Sequence, residues 1–352
     1  MKAVSQKALR RLALGAGAAL ACSALAIATL LALDRAFPPP LPETLPVSAE
    51  VLDRDGQLLR AYAAPDGYWR LATRLDQVDP PFVDMLVAYE DKRFRDHAGV
   101  DPLALARAAF QLVTHGRIVS GGSTLSMQLA RLIEPRDGRS VAAKLKQALR
   151  ALQIERRLSK EEILERYLTL APYGGNLEGV RAASLAWFGK EPKRLAVSEA
   201  ALLVALPQLP ERRRPDRNRT AARAARDRVL QRMAAAGRLG EREAARAALE
   251  EVPGVRLALP ALAAHTADLA LKTAQPGTSP RLTLKRSVQQ ALEAVARNAA
   301  TRLGPKLSVA MVMADSRTGD ILGEVGSASY FDGGRSGWID MTRVLRSPGS
   351  TL

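Results

Sequence analysis

The chain has 352 residues, with 52 Lys and Arg against 36 Asp and Glu, and the resulting net charge of +16 suits an anionic partner: nucleic acid, a phospholipid surface or a diphosphate-bearing substrate. Apolar residues make up 47%, which excludes a disordered tail and supplies a core, and the length fits two domains. The single cysteine, Cys22, excludes an internal disulfide and any Cys-based metal site.

From Leu12 to Leu33 the stretch LALGAGAALACSALAIATLLAL carries no charge and is long enough to cross a hydrocarbon core as a helix. Lys2, Lys7, Arg10 and Arg11 precede it, so the positive-inside bias keeps the N-terminus in the cytoplasm and sends everything after Asp34 across the cytoplasmic membrane. A cleaved secretory peptide is the alternative for so Ala-rich a stretch; the length of the apolar run favours an uncleaved anchor. This topology argues against nucleic acid as the anionic partner. The expected layout is a cytoplasmic tail at 1–11, an anchor at 12–33, a stalk and hairpin at 34–61, a helical domain at 62–240, a linker at 241–280 and a sheet-containing segment at 281–352.

FPPPLPETLP, Phe37 to Pro46, is an extended stalk because repeated proline locks polyproline geometry. VLDRDGQLLRAY, Val51 to Tyr62, predicts two short strands turning at Asp55-Gly56. From Pro80 to about Gly240 apolar residues recur at three and four, the helical period. Glu251 to Pro280 is Pro-bearing and Ala-rich, a linker or small connecting layer. Beyond it SVQQALEAVAR predicts a helix, and LSVAMVMAD a buried strand that turns at Ser316-Arg317-Thr318-Gly319 into its partner ILGEVGS.

Three stretches carry chemistry. In PFVDMLVAYEDKRFRDHAGVD, Val83, Val87, Glu90 and Phe94 fall on one helical stripe, which puts a single carboxylate among apolar neighbours. Burial there would disfavour its charged form and fit it to exchange protons near neutral pH; a Glu paired with a neighbouring Lys or Arg is the plainer reading. Asp91, Lys92, Arg93 and Asp96 are expected to face water or cap the turn before Gly99. In GGSTLSMQLAR, Ser123 or Thr124 caps a helix whose free N–H groups suit a phosphate, with Gln128 and Arg131 following on the same face. KLKQALRALQIERRLSKEEILERYL is an amphipathic helix broken near Ser159, which sits at capping-box spacing from Glu162. Its Lys144, Lys146, Arg150, Arg156 and Arg157 are a candidate solvated face.

EDKRFRDHAGVD, GGSTLSMQLAR, KLKQALRALQIE and SKEEILERYL, in this order behind a membrane anchor, closely resemble the peptidoglycan glycosyltransferases of bifunctional (class A) penicillin-binding proteins, and the resemblance runs from Tyr62 to Leu352. It implies a mainly α fold: an N-terminal transmembrane helix, a lysozyme-like helical glycosyltransferase domain, then the first α/β elements of a penicillin-binding transpeptidase domain. It also implies that Glu90 is the catalytic base, with Asp91, Phe94, His97, Gly99 and Asp101 completing that motif and His97 structural. Ser123, Thr124, Gln128 and Arg131 would cradle substrate, Lys144 would lie near the diphosphate, and Tyr167 would line the same cleft. One departure stands out. Where the resembling proteins usually carry a second Glu, this chain has Gln147, which cannot exchange a proton and is left to hydrogen-bond substrate. The implied substrates are lipid II and the lipid-linked nascent glycan, with a divalent cation, Mg or Mn, as a candidate helper at the diphosphate and no metal ligand assigned.

The closing RSPGSTL resembles the start of the transpeptidase SxxK motif: Ser350 would be the acyl-enzyme nucleophile toward a stem peptide or a β-lactam, with the activating Lys expected just past Leu352. Two other functions remain open, a lysozyme-like glycan-cleaving enzyme and a non-catalytic wall-binding scaffold.

Overall fold

The computed structural model describes residues 17, 21–22, 24–25, 28–29, 31–115, 122–135, 138, 140–275 and 277–345. Strands β1 (Glu50–Leu52), β2 (Leu58–Ala61) and β3 (Trp69–Arg70) lead into helices α1 (Pro80–Glu90), α2 (Pro102–His115), α3 (Leu125–Ile133), α4 (Val141–Glu155) and α5 (Lys160–Leu170). Short strands β4 (Pro172–Gly174) and β5 (Leu177–Glu178) precede α6 (Val180–Phe188), α7 (Val197–Ala205), α8 (Arg219–Ala235), α9 (Glu241–Leu249), α10 (Ala264–Thr273) and α11 (Arg286–Leu303). The series closes with β6 (Met311–Ala314) and β7 (Ile321–Val325). Helix dominates, as the sequence period requires. The chain divides into two compact units, one made of 1–44 with 90–164 and the other of 45–89 with 165–352, so the span 62–240 contributes to both.

In the first unit α3 packs on α4, burying Leu125, Met127, Leu129 and Ala130 of the one and Ala151 and Ile154 of the other. Ser140 caps α4 by accepting from Ala143 N. The break before α5 is the expected capping box: Glu162 N donates to Ser159 Oγ at 3.2 Å and Ser159 N to Glu162 Oε2 at 2.7 Å. The basic face of α4 is engaged rather than merely solvated. Arg157 and Arg156 reach Asp34 at 2.6 and 3.4 Å, while Arg150 Nη1 and Gln153 Nε2 donate to the Phe37 carbonyl at 2.6 and 2.9 Å. Hydrogen bonding from Arg157 holds the Asp34 carboxyl below the usual carboxylate range. Most of the span 12–33 lies outside the described residues, and no helix among the described residues is long and apolar enough to cross a membrane.

In the second unit β1 and β2 form the expected antiparallel hairpin, with Gly56 at φ 78° in the turn. Asp53 fixes that turn by accepting from Asp55 N and Gln57 N, each at 2.8 Å, and its other oxygen takes Arg286 N at the start of α11 at 2.9 Å. Strand β5 pairs in parallel with β3 and antiparallel with β4. Helix α7 is buried from Ala200 to Ala205, which suits its apolar sequence VSEAALLVA, and it packs on α8. The stretch read as a linker contains α10. Strands β6 and β7 form the expected hairpin, with Gly319 in its turn, and α11 packs on β7. Strand β6 departs from its expected burial: Val312 and Met313 are 52% and 46% exposed, because among the described residues only β7 pairs with it.

Candidate active site

The site is built where the chain leaves α1. The sequence stripe continued that helix to Phe94, but α1 stops at Glu90 and buries Phe82, Met85 and Leu86, a different face. Glu90 is therefore half-buried at a helix end rather than enclosed on an apolar stripe. Its Oε2 accepts from Gln128 Nε2 at 2.9 Å, the contact that ties it to α3.

What ends α1 is Asp91. Instead of facing water it is 6% exposed, and it leaves the helical path to accept from Leu125 N at 2.9 Å and from His97 Nε2 at 3.0 Å. Gly99 N donates to His97 Nδ1 at 3.1 Å, which makes that nitrogen the acceptor and leaves Nε2–H to donate to Asp91. Thr124 then closes the loop: its hydroxyl donates to the Gly99 carbonyl and accepts from Met127 N at 3.1 Å as the cap of α3. Gly99 is required here, since at φ +100° an added Cβ would meet the Ala151 backbone at 2.7 Å. Asp101 pairs with Arg93 and accepts from Ala104 N in the first turn of α2.

Two of the N–H groups at the start of α3 that suited a phosphate have partners within the protein. The Leu125 N–H faces the protein's own buried carboxylate, Asp91, and the Met127 N–H faces Thr124. The internal carboxylate fixes the helix that carries Gln128. Ser123 is half-buried just before the cap. Phe94 is fully enclosed and lies 4.5 Å beneath the Lys160 ammonium, so it contributes packing rather than substrate contact. Lys160 itself donates to the His97 carbonyl at 2.6 Å and pairs with Glu155 at 2.7 Å, while Glu155 also accepts from Ser126 Oγ. Tyr167 is 2% exposed, in the core of the second unit.

Between α3 and α4 lies a cleft of about 200 Å³, bordered by Arg131, Glu134, Lys146, Gln147 and Arg150. Glu134 accepts from Lys146 at 2.5 Å and from Arg150 at 2.7 Å, and these bonds hold its carboxyl below the usual range. Arg131 and Lys144 are exposed, and Lys146 rather than Lys144 borders the cleft. Gln147 is 8% exposed and its Nε2 donates to the Met127 carbonyl. No set of three His, Cys, Asp or Glu that could hold a metal gathers among the described residues. Ser350 lies outside the described residues. Sequence reasoning missed Glu134, which the fold pairs with Lys146 and Arg150, and Glu155 and Lys160, which it pairs with each other.

A family model described as transglycosylase matches residues 55–234. Penicillin-binding protein 1C of Escherichia coli (strain K12) is 42% identical over 319 residues, 91% of this chain and 41% of that protein. Penicillin-binding protein 1A of Aquifex aeolicus (strain VF5) is 38% identical over 54% of this chain and 26% of its own length; the 1A protein of Pseudomonas aeruginosa is 36% identical over 59% and 25%. The chain thus spans less than half the length of these curated relatives.

Proposed function

We propose, from the premise that this chain belongs to the transglycosylase family, that it polymerises lipid II into glycan strands of the bacterial cell wall. The observation that carries this reading is the Glu90 carboxylate, half-buried at the end of α1 and aligned by Gln128 at 2.9 Å. The donor is a growing glycan on a lipid diphosphate and the acceptor is the 4-hydroxyl of a lipid-linked disaccharide. Glu90 takes the hydroxyl proton while the acceptor oxygen bonds to the donor's anomeric carbon with inversion; the bond from that carbon to the diphosphate breaks, and the diphosphate leaves with its electron pair. Arg131 lies three residues after Gln128, on the same face of α3, and with Lys144 and Lys146 it meets the charge of the leaving diphosphate.

The anchor reading of 12–33 completes this scheme: the N-terminus stays cytoplasmic, the catalytic body lies on the periplasmic face, and tethering concentrates lipid-bound substrates. In a polypeptide that carries a whole transpeptidase domain, Ser350 is placed to be its nucleophile. Fluorescent penicillin should label that protein, and Ser350→Ala should abolish the label.

The test of the polymerase reading is incubation of purified protein with labelled lipid II. Polymer should form, and Glu90→Gln should reduce turnover by about 10²–10⁴-fold, the usual worth of a general base, without changing the melting temperature. Full turnover in that variant refutes the base assignment. Shortening of preformed glycan would point to the cleaving enzyme, and binding without turnover to the scaffold.

A further inference from the structure

Toward α3, Gln147 occupies a position at which its amide must donate. Its Nε2 reaches the Met127 carbonyl, an oxygen with no hydrogen to offer, so the amide must present nitrogen there. The side chain is 8% exposed, away from competing water. The peptide it grips joins Met127 to Gln128, and the N–H of that same peptide donates to the Thr124 carbonyl at 2.9 Å. Gln128 therefore hangs from a peptide unit held at both ends, one by the helix and one by α4. From that mount its own amide reaches Glu90 at 2.9 Å.

We propose that Gln147 is a positioning residue for Glu90, acting through the Met127–Gln128 peptide, and that the position requires an amide donor rather than an acid. The inference rests on the polymerase reading and deepens it. An ionised carboxylate at this position would set oxygen against oxygen in a buried place; the helix would tilt or slide to relieve it, and Gln128 would carry Glu90 out of line. Misplacement of a reacting group by about 1 Å costs on the order of 10²-fold in rate. The opposite reading takes the position as an acid site emptied by exchange for an amide. The two readings predict opposite signs for one substitution.

The experiment measures lipid II polymerisation by the full chain at pH 8 for the wild type, Gln147→Glu and Gln147→Met. The clamp predicts that both variants lower kcat, by about 10–100-fold for Gln147→Glu and less for Gln147→Met, with KM changed under about threefold. It also predicts faster hydrogen exchange at the Gln128 amide in both. Turnover by Gln147→Glu equal to or above wild type overturns the proposal, as does a loss confined to KM. If the wild type makes no polymer, the polymerase reading fails by itself; the exchange rate of the Gln128 amide then decides the clamp, and an unchanged rate in both variants overturns it.

Discussion

Asp91→Ala removes the one acceptor shared by Leu125 N–H and His97 Nε2–H, at 2.9 and 3.0 Å. The His97 and Asp91 side chains are only 5% and 3% exposed, so water does not readily replace the lost partner. Each donor left unsatisfied costs about 1–3 kcal/mol. Loss of an anion at the start of α3 adds about 0.5–1 kcal/mol, giving a total of roughly 4 kcal/mol. That corresponds to about a thousandfold in the local opening equilibrium. Hydrogen exchange at the Leu125 amide reads this opening directly, and its protection should fall by about that factor. Asp91→Asn keeps one acceptor oxygen and should lose roughly half as much free energy. A change in protection of less than about threefold in Asp91→Ala would refute the claim that this carboxylate holds the helix start.

Gly99→Ala should fail to accumulate as folded protein, since its Cβ would meet the Ala151 backbone at 2.7 Å and its φ of +100° is strained for any L side chain; solubility and near-UV circular dichroism check this. Thr124→Ala removes both the cap of α3 and the link to the Gly99 carbonyl and should cost about 1–3 kcal/mol in urea unfolding with the slope unchanged. Glu134 titrates below its ordinary value of 4.5 because Lys146 and then Arg150 bond its charged form, so its contribution is complete above that value and disappears as pH falls through the lower folded value. The stability difference between wild type and Glu134→Gln, followed by thermal melts from pH 7 to 3, should shrink only below about pH 5; a difference independent of pH would contradict the pairing.

Much of the local structure was legible in residue order. The hairpin at Asp55-Gly56, the box at Ser159 and Glu162, the cap of α3 and the β6–β7 turn are set by groups within a few residues of each other, so nearest-neighbour chemistry suffices. The motif order also grouped Glu90 with Gln128, which the fold joins at 2.9 Å. The burial of Glu90 was misread because helical periodicity contains no term for a distant acceptor. Asp91 gains more by bonding Leu125, thirty-four residues on, than by continuing α1, so the helix ends four residues before Phe94 and the stripe never forms.

By itself the sequence determined the helical class and the turn and cap positions, because these follow from spacing and side-chain type. Only the tertiary structure decided which charges are partners: Asp91 fills the helix start expected to hold a phosphate, and Arg156 and Arg157 pair with Asp34. Gln147 likewise became a donor to a backbone carbonyl. Electrostatic and hydrogen-bond partners depend on separation in space, which residue order does not encode for segments that meet only after the chain has folded.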